Sequence, residues 1–299
     1  MKKARIVSFV LVLLIASVAA LYYFVNRPAT SSKIQISTNP WVGFTPFIYA
    51  QEKGWLDKTP FRFMWLVDLT DNARLYERGF TQGFTATQYE LLHFKQHDTI
   101  KPVFLIDRSY GADAIVSNRS LEEIRSSKKS VEIYLERGSL NDDFLKAFIA
   151  ENRLEKVPFH LVDSSQKSIA TLQKTGEAVV ILSYQPYLSG LLKKGFTPLA
   201  STRTMESFFV IDALFVDESV VEGNEKEFVH LKELFALGVN RLHTNPHEYY
   251  DTVKGYLEGQ SYEEFMATTT QIEWLHEKKS EKIIRYLEVQ KIQTDRLIP

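Results

Sequence analysis

The sequence contains no cysteine among its 299 residues. This absence excludes disulfide bonds, thiolate nucleophiles, iron–sulfur clusters and cysteine-based zinc sites. It also excludes a lipid anchor attached through an N-terminal cysteine. Neither thiol chemistry nor disulfide cross-linking is therefore open to this chain.

The sequence also lacks an excess of positive charge, with 36 lysines and arginines against 37 aspartates and glutamates. A balanced chain has no strong positive field to attract nucleic acid, so no nucleic-acid partner is expected. The first 27 residues carry four of the basic residues and no acidic residue. The remainder of the chain is therefore mildly acidic.

Common catalytic motifs are absent as well. The sequence has neither a G-x-S-x-G nucleophile elbow nor a G-x-x-x-x-G-K phosphate loop. Glu90, His93 and His97 have the i, i+3, i+7 spacing that places three side chains on one helix face, where they could hold a metal. No second ligand cluster accompanies them, so a metal-dependent enzyme is the least favoured hypothesis. We predict no catalytic residue, no metal and no cofactor.

Residues 6–25 form an apolar run interrupted only by two serines. As a helix this run would span roughly 30 Å, the thickness of the hydrocarbon core of a bilayer. Basic residues precede the run, which keeps the N-terminus in the cytoplasm and sends the rest across the membrane. Cleavage after Ala19 or Ala20 fits a signal peptide, but the apolar run continues beyond both, which favours an uncleaved anchor. In either case residues 1–27 place the globular part outside the inner membrane.

The remaining chain predicts an α/β fold. Its length is about twice that of a typical domain, and 44% hydrophobic with 24% charged residues is typical of a globular protein. Apolar runs of strand length alternate with helical segments of about 8–12 residues, which predicts parallel or mixed sheets covered by helices. Ligands of such sheets bind in the loops that follow the strands. The candidate loops are residues 38–45, 86–88, 138–139 and 184–185.

Five short segments occur in a characteristic order. They are residues 39–47 with 50–55 (NPWVGFTPF and AQEKGW), 107–115 (DRSYGADAI), 138–139 (GS, opening a helix), 176–186 (GEAVVILSYQP) and 211–216 (IDALFV). Together they resemble the substrate-binding proteins of ABC transporters, and among these the nitrate, sulfonate, taurine and thiamine-precursor binders. The resemblance covers roughly residues 33–290.

The resemblance implies the two-lobed type II periplasmic-binding-protein fold with a central cleft. Lobe one would comprise residues 33–116 and 208–299, and lobe two residues 117–207. It also implies an extracytoplasmic solute-binding protein, expected to be monomeric, that delivers a small solute to an inner-membrane ABC permease with its ATPase. A membrane-tethered sensor with the same fold, signalling to a membrane partner, is the alternative.

Nine residues in or beside the candidate loops and the two predicted strand crossings are predicted to contact the ligand. They are Trp41, Gly43, Phe44, Thr87, Gln88, Asp113, Ser139, Gln185 and Asp212. Trp41 and Phe44 would form an aromatic wall to which Gly43 admits the ligand, or else be core residues. Thr87 is either a ligand contact or a helix N-cap. Asp113 and Asp212 adjoin the two crossings, where they bind ligand or, as we favour, hold the hinge backbone.

The character of the ligand follows from the charges in these loops. Ser139 opens a helix, but Asp142 and Asp143 place negative charge in its first turn, so a capping role is favoured over an anion site. Gln185 stands where many members of the family carry an acidic residue, and its amide either fits a polar neutral group of the ligand or is buried and satisfied by backbone. Without an evident arginine clamp, a neutral or weakly charged aromatic or heterocyclic solute is expected. Arg108 and Arg203 lie near these stretches and would reverse that expectation if they entered the cleft.

Overall fold

The computed structural model describes residues 33–66, 68–94, 97–205, 208–277 and 280–298. The predicted membrane segment, residues 6–25, lies outside the described residues. Within the described residues no helix is long and apolar enough to cross a membrane. Residues 34–299 form one unit, and within it the secondary structure divides into two sheets.

Eleven strands are present in the described part of the chain. They are β1 (Ile34–Thr38), β2 (Phe61–Trp65), β3 (Gly83–Thr87), β4 (Ile100–Ser109), β5 (Asp113–Ser117), β6 (Val131–Leu135), β7 (Phe159–Asp163), β8 (Val179–Tyr184), β9 (Thr197–Ser201), β10 (Ile211–Asp217) and β11 (Ile272–Trp274). The sequence predicts most of these as apolar or alternating runs, but β9 and β11 are not predicted.

The helices fall between and after the strands. They are α1 (Thr45–Glu52), α2 (Leu69–Glu77), α3 (Gln88–His93), α4 (Leu121–Arg125), α5 (Leu140–Asn152), α6 (Gln166–Ile169), α7 (Tyr187–Lys193), α8 (Glu218–Val221), α9 (Glu225–Thr244), α10 (Pro246–Val253), α11 (Tyr262–Thr269) and α12 (Glu281–Val289). Local sequence sets several of their starts. Capping boxes open α3, α4 and α11, where a serine or threonine side chain accepts from the backbone and a glutamate three residues later bonds back.

The first lobe is built on a six-stranded sheet in the order β11-β4-β10-β3-β1-β2. Strands β2 and β3 run parallel to β1, whereas β10 is antiparallel to both β3 and β4, and β11 is antiparallel to β4. Helix α9 packs against α1 on one face of this sheet. Phe235 of α9 lies 4.8 Å from Phe47 of α1 between ring centroids, and Phe47 in turn stacks on Phe63 of β2 at 4.5 Å. This aromatic core ties the C-terminal helices to the N-terminal strands.

The second lobe is built on a five-stranded sheet in the order β7-β6-β8-β5-β9. Strands β7 and β8 run parallel to β6, whereas β5 is antiparallel to both β8 and β9. Both sheets are therefore mixed. The predicted two-lobed α/β fold is confirmed.

The chain crosses between the two sheets twice. It leaves β4 at Ser109 and enters β5 at Asp113, and it returns from Ser201 of β9 to Ile211 of β10. The second sheet thus begins four residues before residue 117, where the sequence places the start of lobe two. The lobe boundaries of the sequence analysis stay a prediction. The two crossings bring the ends of β4, β5 and β10 together.

Candidate ligand-binding cleft

The loops of the two lobes meet around a small cavity of about 10 Å³. A space of this size holds about one water molecule. Its lining is acidic, aromatic and apolar and includes no lysine or arginine. The lining residues are Asn39, Trp41, Leu69, Thr87, Asp113, Leu140, Tyr184, Val210 and Asp212.

Trp41 spans the cavity from the first lobe. Its backbone is extended and precedes a single 3₁₀ turn over Val42–Phe44. Its Nε1 donates to both carboxylate oxygens of Asp107, at 3.1 and 3.3 Å. The edge of the ring system meets Tyr184 of the second lobe, with ring centroids 5.9 Å apart and planes at 73°. An edge-to-face pair of this kind is a favourable aromatic contact, so Trp41 joins an acidic group and the opposite lobe.

Three aspartates are brought together by strand register. Asp212 on β10 pairs with Asp107 on β4 and with Thr87 on β3. Asp113 begins β5 directly after the first crossing. The side chains of all three aspartates are buried, with at most 3% of each residue exposed. Asp107 and Asp212 lie opposite each other across the β4–β10 pair, so a charge on Asp107 disfavours a charge on Asp212.

Burial changes the protonation of this cluster. Loss of solvation raises the pKa of Asp113 to about 7, and the neighbouring Glu90 carboxylate adds to the increase. Burial also raises the pKa of Asp107 and of Asp212, and each carboxyl is further disfavoured as an anion by the other acids beside it. The cluster therefore holds protons at neutral pH that free carboxyl groups would have lost.

Two glutamates extend the acidic region and connect the lobes. Oε1 of Glu90 accepts from the backbone N–H of Leu140 in the second lobe at 2.5 Å, while Oε2 accepts from Thr87. Oε1 of Glu136 in the second lobe accepts from the backbone and side chain of Thr70 in the first. Burial, followed by the charge of Asp68, raises the pKa of Glu136 to about 8. Buried carboxyl groups thus serve as inter-lobe hydrogen-bond acceptors.

Four polar groups of the cavity lining are left unpaired. Asp113 Oδ2, Asp212 Oδ2, Tyr184 Oη and Asn39 Nδ2 have no hydrogen-bond partner among the described residues, although each is fully buried. An unpaired buried polar group costs about 1–3 kcal/mol, and such groups are rare in folded proteins. Their convergence on one cavity marks the place where a bound molecule would be recognised.

Four of the nine predicted site residues line this cavity, namely Trp41, Thr87, Asp113 and Asp212. Thr87 is also the N-cap of α3, where its side chain accepts from the backbone N–H of Tyr89 at 3.1 Å. The N-cap role of Thr87 is therefore present, and its contact with a ligand stays a prediction.

Gly43 and Phe44 lie behind the cavity lining. A Cβ atom at Gly43 would lie 1.7 Å from Oδ2 of Asp107 and 2.7 Å from Nε1 of Trp41. The absence of a side chain at Gly43 therefore makes room for the Asp107 carboxyl group. From the sequence, this space is expected to admit a ligand instead. Phe44 is fully buried in the core of the lobe.

Gln88, Ser139 and Gln185 also lie outside the lining, and each has protein partners. Gln88 donates to the carbonyl of Phe209 at 2.6 Å and accepts from the N–H of Ile211 at 2.8 Å, which braces the return crossing. Ser139 caps α5 by accepting from the N–H of Asn141. Gln185 contacts three neighbours through its amide, and these are Ser189, Gln260 and Gln271.

The basic side chains nearest the cleft are engaged elsewhere. Arg108 packs its guanidinium 4.2 Å from the ring centroid of Phe209 and faces Glu273. Arg203 donates to the carbonyl of Tyr110 at 3.1 Å and lies over the Tyr110 ring. Neither arginine lines the cavity.

The metal-ligand hypothesis places Glu90, His93 and His97 on one helix face. The side chain of Glu90 is taken up by Thr87 and Leu140, and the ring of His93 contacts Gly138 and Asp143 in the second lobe. The side chain of His97 lies outside the described residues. In the part of the chain that the structure describes, no group of three or more acidic or histidine side chains is placed to hold a metal ion.

Sequence reasoning does not identify Asp107 or Tyr184 as site residues. Both end apolar strand runs, VFLID and VVILSY. A carboxyl or phenol group that closes a buried strand is a usable signal, because polar side chains at the strand ends of an α/β sheet face the ligand cleft.

No family model matches the sequence, and no curated protein matches it. Solved structures do match. The ligand-binding component of an ABC-type import system from Staphylococcus aureus, solved with zinc bound, superposes with a TM-score of 0.64 at 11% identity, covering 89% of this chain and 96% of that one. The periplasmic aliphatic sulphonate binding protein SsuA from Escherichia coli gives 0.66 at 11%, covering 87% and 90%.

The desulfurization enzyme DSZB is also similar, with a TM-score of 0.60 at 11% identity and coverage of 86% of this chain and 91% of that one. Binding proteins and an enzyme thus share this architecture, so at this level of identity the likeness concerns the fold. The chain has the two-lobed α/β fold of periplasmic substrate-binding proteins.

Proposed function

We propose that this protein is an extracytoplasmic solute-binding protein that captures a small organic molecule between its two lobes. The observation that carries this proposal is the inter-lobe cavity, onto which four unpaired buried polar groups converge. Such groups gain hydrogen bonds when a solute enters, which supplies a driving force for binding. No covalent chemistry is required.

Binding would be coupled to movement of the lobes. The conformation described is closed, since Glu90 bonds to Leu140, Thr70 bonds to Glu136 and the Trp41 ring meets Tyr184 across the cleft. A cavity of about 10 Å³ is smaller than any organic solute, so a solute enters only when the lobes separate. The lobes would move about a hinge at the two crossings. A bound solute would favour the closed state, and this shift accounts for its capture.

The partners follow from this role. An inner-membrane ABC permease, driven by its ATPase, would receive the solute from the closed protein, which acts as a monomer. The N-terminal segment, residues 6–25, would hold the protein at the outer face of the inner membrane or be removed after export. A tethered sensor is the alternative use of the same cleft, and it differs only in the membrane partner.

Catalysis is not part of this proposal, although one structural neighbour is an enzyme. Glu90 and His93, the side chains of the metal-enzyme hypothesis, are occupied in contacts between the lobes. Their geometry supports a role in closure.

A thermal-shift screen of the purified full-length protein tests the binding role. The panel contains sulfonates, nitrate, amino acids, amines, pyrimidines, thiamine precursors and flavins. A ligand at 100 times its dissociation constant adds about 2.7 kcal/mol of stability, which raises the melting temperature by a few degrees.

The variant Trp41→Ala should abolish the shift, because it removes the ring that spans the cavity. Trp55→Ala is the matched control, since Trp55 packs on Tyr49 outside the cavity. A shift that survives in Trp41→Ala would place binding elsewhere. Absence of any shift across the panel would contradict the proposal.

A further inference from the structure

The polar groups of the cavity are unequally divided between acceptors and donors. Two unpaired carboxyl oxygens, from Asp113 and Asp212, outnumber the one unpaired amide donor, Nδ2 of Asn39, while the hydroxyl group of Tyr184 can donate or accept. The Asp107 carboxyl group lies beside them, opposite Asp212 across the β4–β10 pair. A molecule that satisfies this set must bring several N–H or O–H donors and few acceptors.

The ionisable groups closest to the cavity are acids. Glu90 on α3 lies close enough to act on Asp113 and Asp212, and Glu136 after β6 lies near Glu90 and Asp68. Three basic groups lie near the cleft, and none lines the cavity: the ring of His93 contacts Asp143 and Gly138, Arg108 packs on Phe209, and Arg203 donates to the carbonyl of Tyr110. A positive group in the cavity would therefore meet an uncompensated acidic cluster, in surroundings where charge interactions are weakly screened.

We propose that the solute is a small organic cation, an amine or amidine, whose nitrogen donates to the free oxygens of Asp113 and Asp212. This inference rests on the proposed function and assigns the ligand class of the same cleft. It replaces the neutral or weakly charged solute expected from the sequence. The sequence does not reveal the carboxyl cluster, because strand register assembles it from residues more than one hundred positions apart.

The dimensions of the cavity fit the head group of such a solute. An ammonium nitrogen with its hydrogens is about the size of a water molecule, which is what about 10 Å³ admits. The carbon part of the solute requires the lobes to close around it less tightly than in the conformation described, and it then contacts the rings of Trp41 and Tyr184. Aromatic faces and edges also stabilise a cation nearby. The unpaired donor of Asn39 selects a solute with one acceptor, such as a hydroxyl or carbonyl oxygen.

Matched pairs of probes test the charge requirement on the full-length protein. Ethanolamine is compared with ethylene glycol, benzamidine with benzamide, and ethanesulfonate serves as the anionic probe. Isothermal titration and thermal shift should show at least tenfold tighter binding of a cation than of its neutral partner. Binding of the cation should tighten from pH 6 to pH 8, since the carboxyl groups release protons when the cation binds.

The variants Asp113→Asn and Asp212→Asn keep the shape of each side chain and remove its charge. Each should weaken binding of the cation tenfold or more, whereas Glu155→Gln, an exposed carboxylate far along the second lobe, should leave it unchanged. Circular dichroism and urea unfolding verify that each variant is folded.

The outcomes separate the two proposals. Binding of neutral or anionic probes without binding of either cation would overturn the cation inference and leave the solute-binding function intact. Cation binding that persists at full strength in both aspartate variants would overturn the assigned site. Absence of binding by every probe, and by the wider panel described above, would overturn both proposals.

Discussion

Nε1 of Trp41 donates to both oxygens of the buried Asp107 carboxyl group, at 3.1 and 3.3 Å. The donor comes from the loop after the first strand and the acceptor from the fourth strand, 66 positions later. Because the hydrogen bond favours the charged form of Asp107, it opposes the effect of burial on that carboxyl group.

Replacing the donor should therefore have a pH-dependent cost. Trp41→Phe keeps an aromatic ring but leaves the Asp107 oxygens without this N–H, and hydrogen bonds to charged groups are worth about 1.5–3 kcal/mol. Urea unfolding should show a loss in that range at pH 8, where more of the carboxyl is charged, and a smaller loss at pH 5. Trp65→Phe is the control, because Nε1 of Trp65 donates to the uncharged amide oxygen of Gln51. Equal losses at both pH values would assign Trp41 a packing role alone.

Gly43 should tolerate no side chain. In Gly43→Ala the new methyl group would collide with the Asp107 carboxyl group and the Trp41 ring, and forced repacking of this kind costs about 1–3 kcal/mol. Gly176→Ala is the matched control, since a Cβ there meets no atom within 4 Å. The free energy of unfolding in urea measures both variants. Unchanged stability in Gly43→Ala would mean that the carboxyl group moves aside without cost.

The buried acids make stability depend on pH in a defined direction. The pKa of Asp113 is raised to about 7 and that of Glu136 to about 8, whereas unfolded carboxyl groups titrate near 4. The native state therefore keeps protons that the unfolded chain loses, so the stabilisation is complete below pH 4 and is lost as the pH rises through 7 to 8. Each such proton contributes a slope of about 1.4 kcal/mol per pH unit.

Denaturation between pH 5 and pH 9 measures this slope. We expect Asp113→Asn to flatten it between pH 5 and pH 7, because the amide does not titrate. Asp212, Asp107 and Glu90 face Asp113 and continue to contribute in that variant. A slope unchanged by Asp113→Asn would show that this carboxyl group is not protonated in the native protein.

His93 should act as a pH-sensitive latch between the lobes. Both ring nitrogens face acceptors of the second lobe, the Asp143 carboxylate at 3.2 Å and the Gly138 carbonyl at 3.1 Å. Only the protonated ring can donate to both, and the hydrogen bond to Asp143 is the main reason that the pKa of His93 is raised to about 9. Stability from this contact is present below pH 6.5 and is lost as the pH rises through 9.

Nuclear magnetic resonance titration of the His93 ring should show the raised pKa, and Asp143→Asn should lower it. Small-angle scattering should show a larger radius of gyration in His93→Gln at neutral pH. His230→Gln is the control, because that ring contacts Glu233 on the same helix within one lobe. An unaltered radius of gyration in His93→Gln would show that His93 does not hold the lobes together.

Much of the fold was accessible from local sequence patterns. Apolar runs such as residues 131–135 and 179–184 are buried strands, and the serine and threonine caps of α3, α4 and α11 are visible in sequence. The strands β9 and β11 escaped prediction for a physical reason. Both lie at or near sheet edges and are only partly buried, so their side chains show little of the alternation that marks a strand.

Some residues of the ligand-binding cleft could also be predicted from the sequence, and others could not. The loop positions of Trp41 and Thr87 follow from the strands that precede them, because the ends of strands in an α/β sheet form the binding edge. The sequence alone favours a hinge role for Asp113 and Asp212 and leaves Gln185 either a ligand contact or a buried amide with protein partners. In the structure both aspartates line the cavity, whereas the Gln185 amide is enclosed by Ser189, Gln260 and Gln271.

Local chemistry thus specifies which segments become strands, helices and turns, since hydrophobic period and capping act over only a few residues. The acidic character of the cleft depends on tertiary structure, because the register of β10 against β4 places Asp212 opposite Asp107 across more than one hundred residues of chain. Burial then raises their pKa values, and burial is a property of the assembled lobes. A carboxyl group in the sequence becomes part of a proton-holding cluster only when folding removes water from around it.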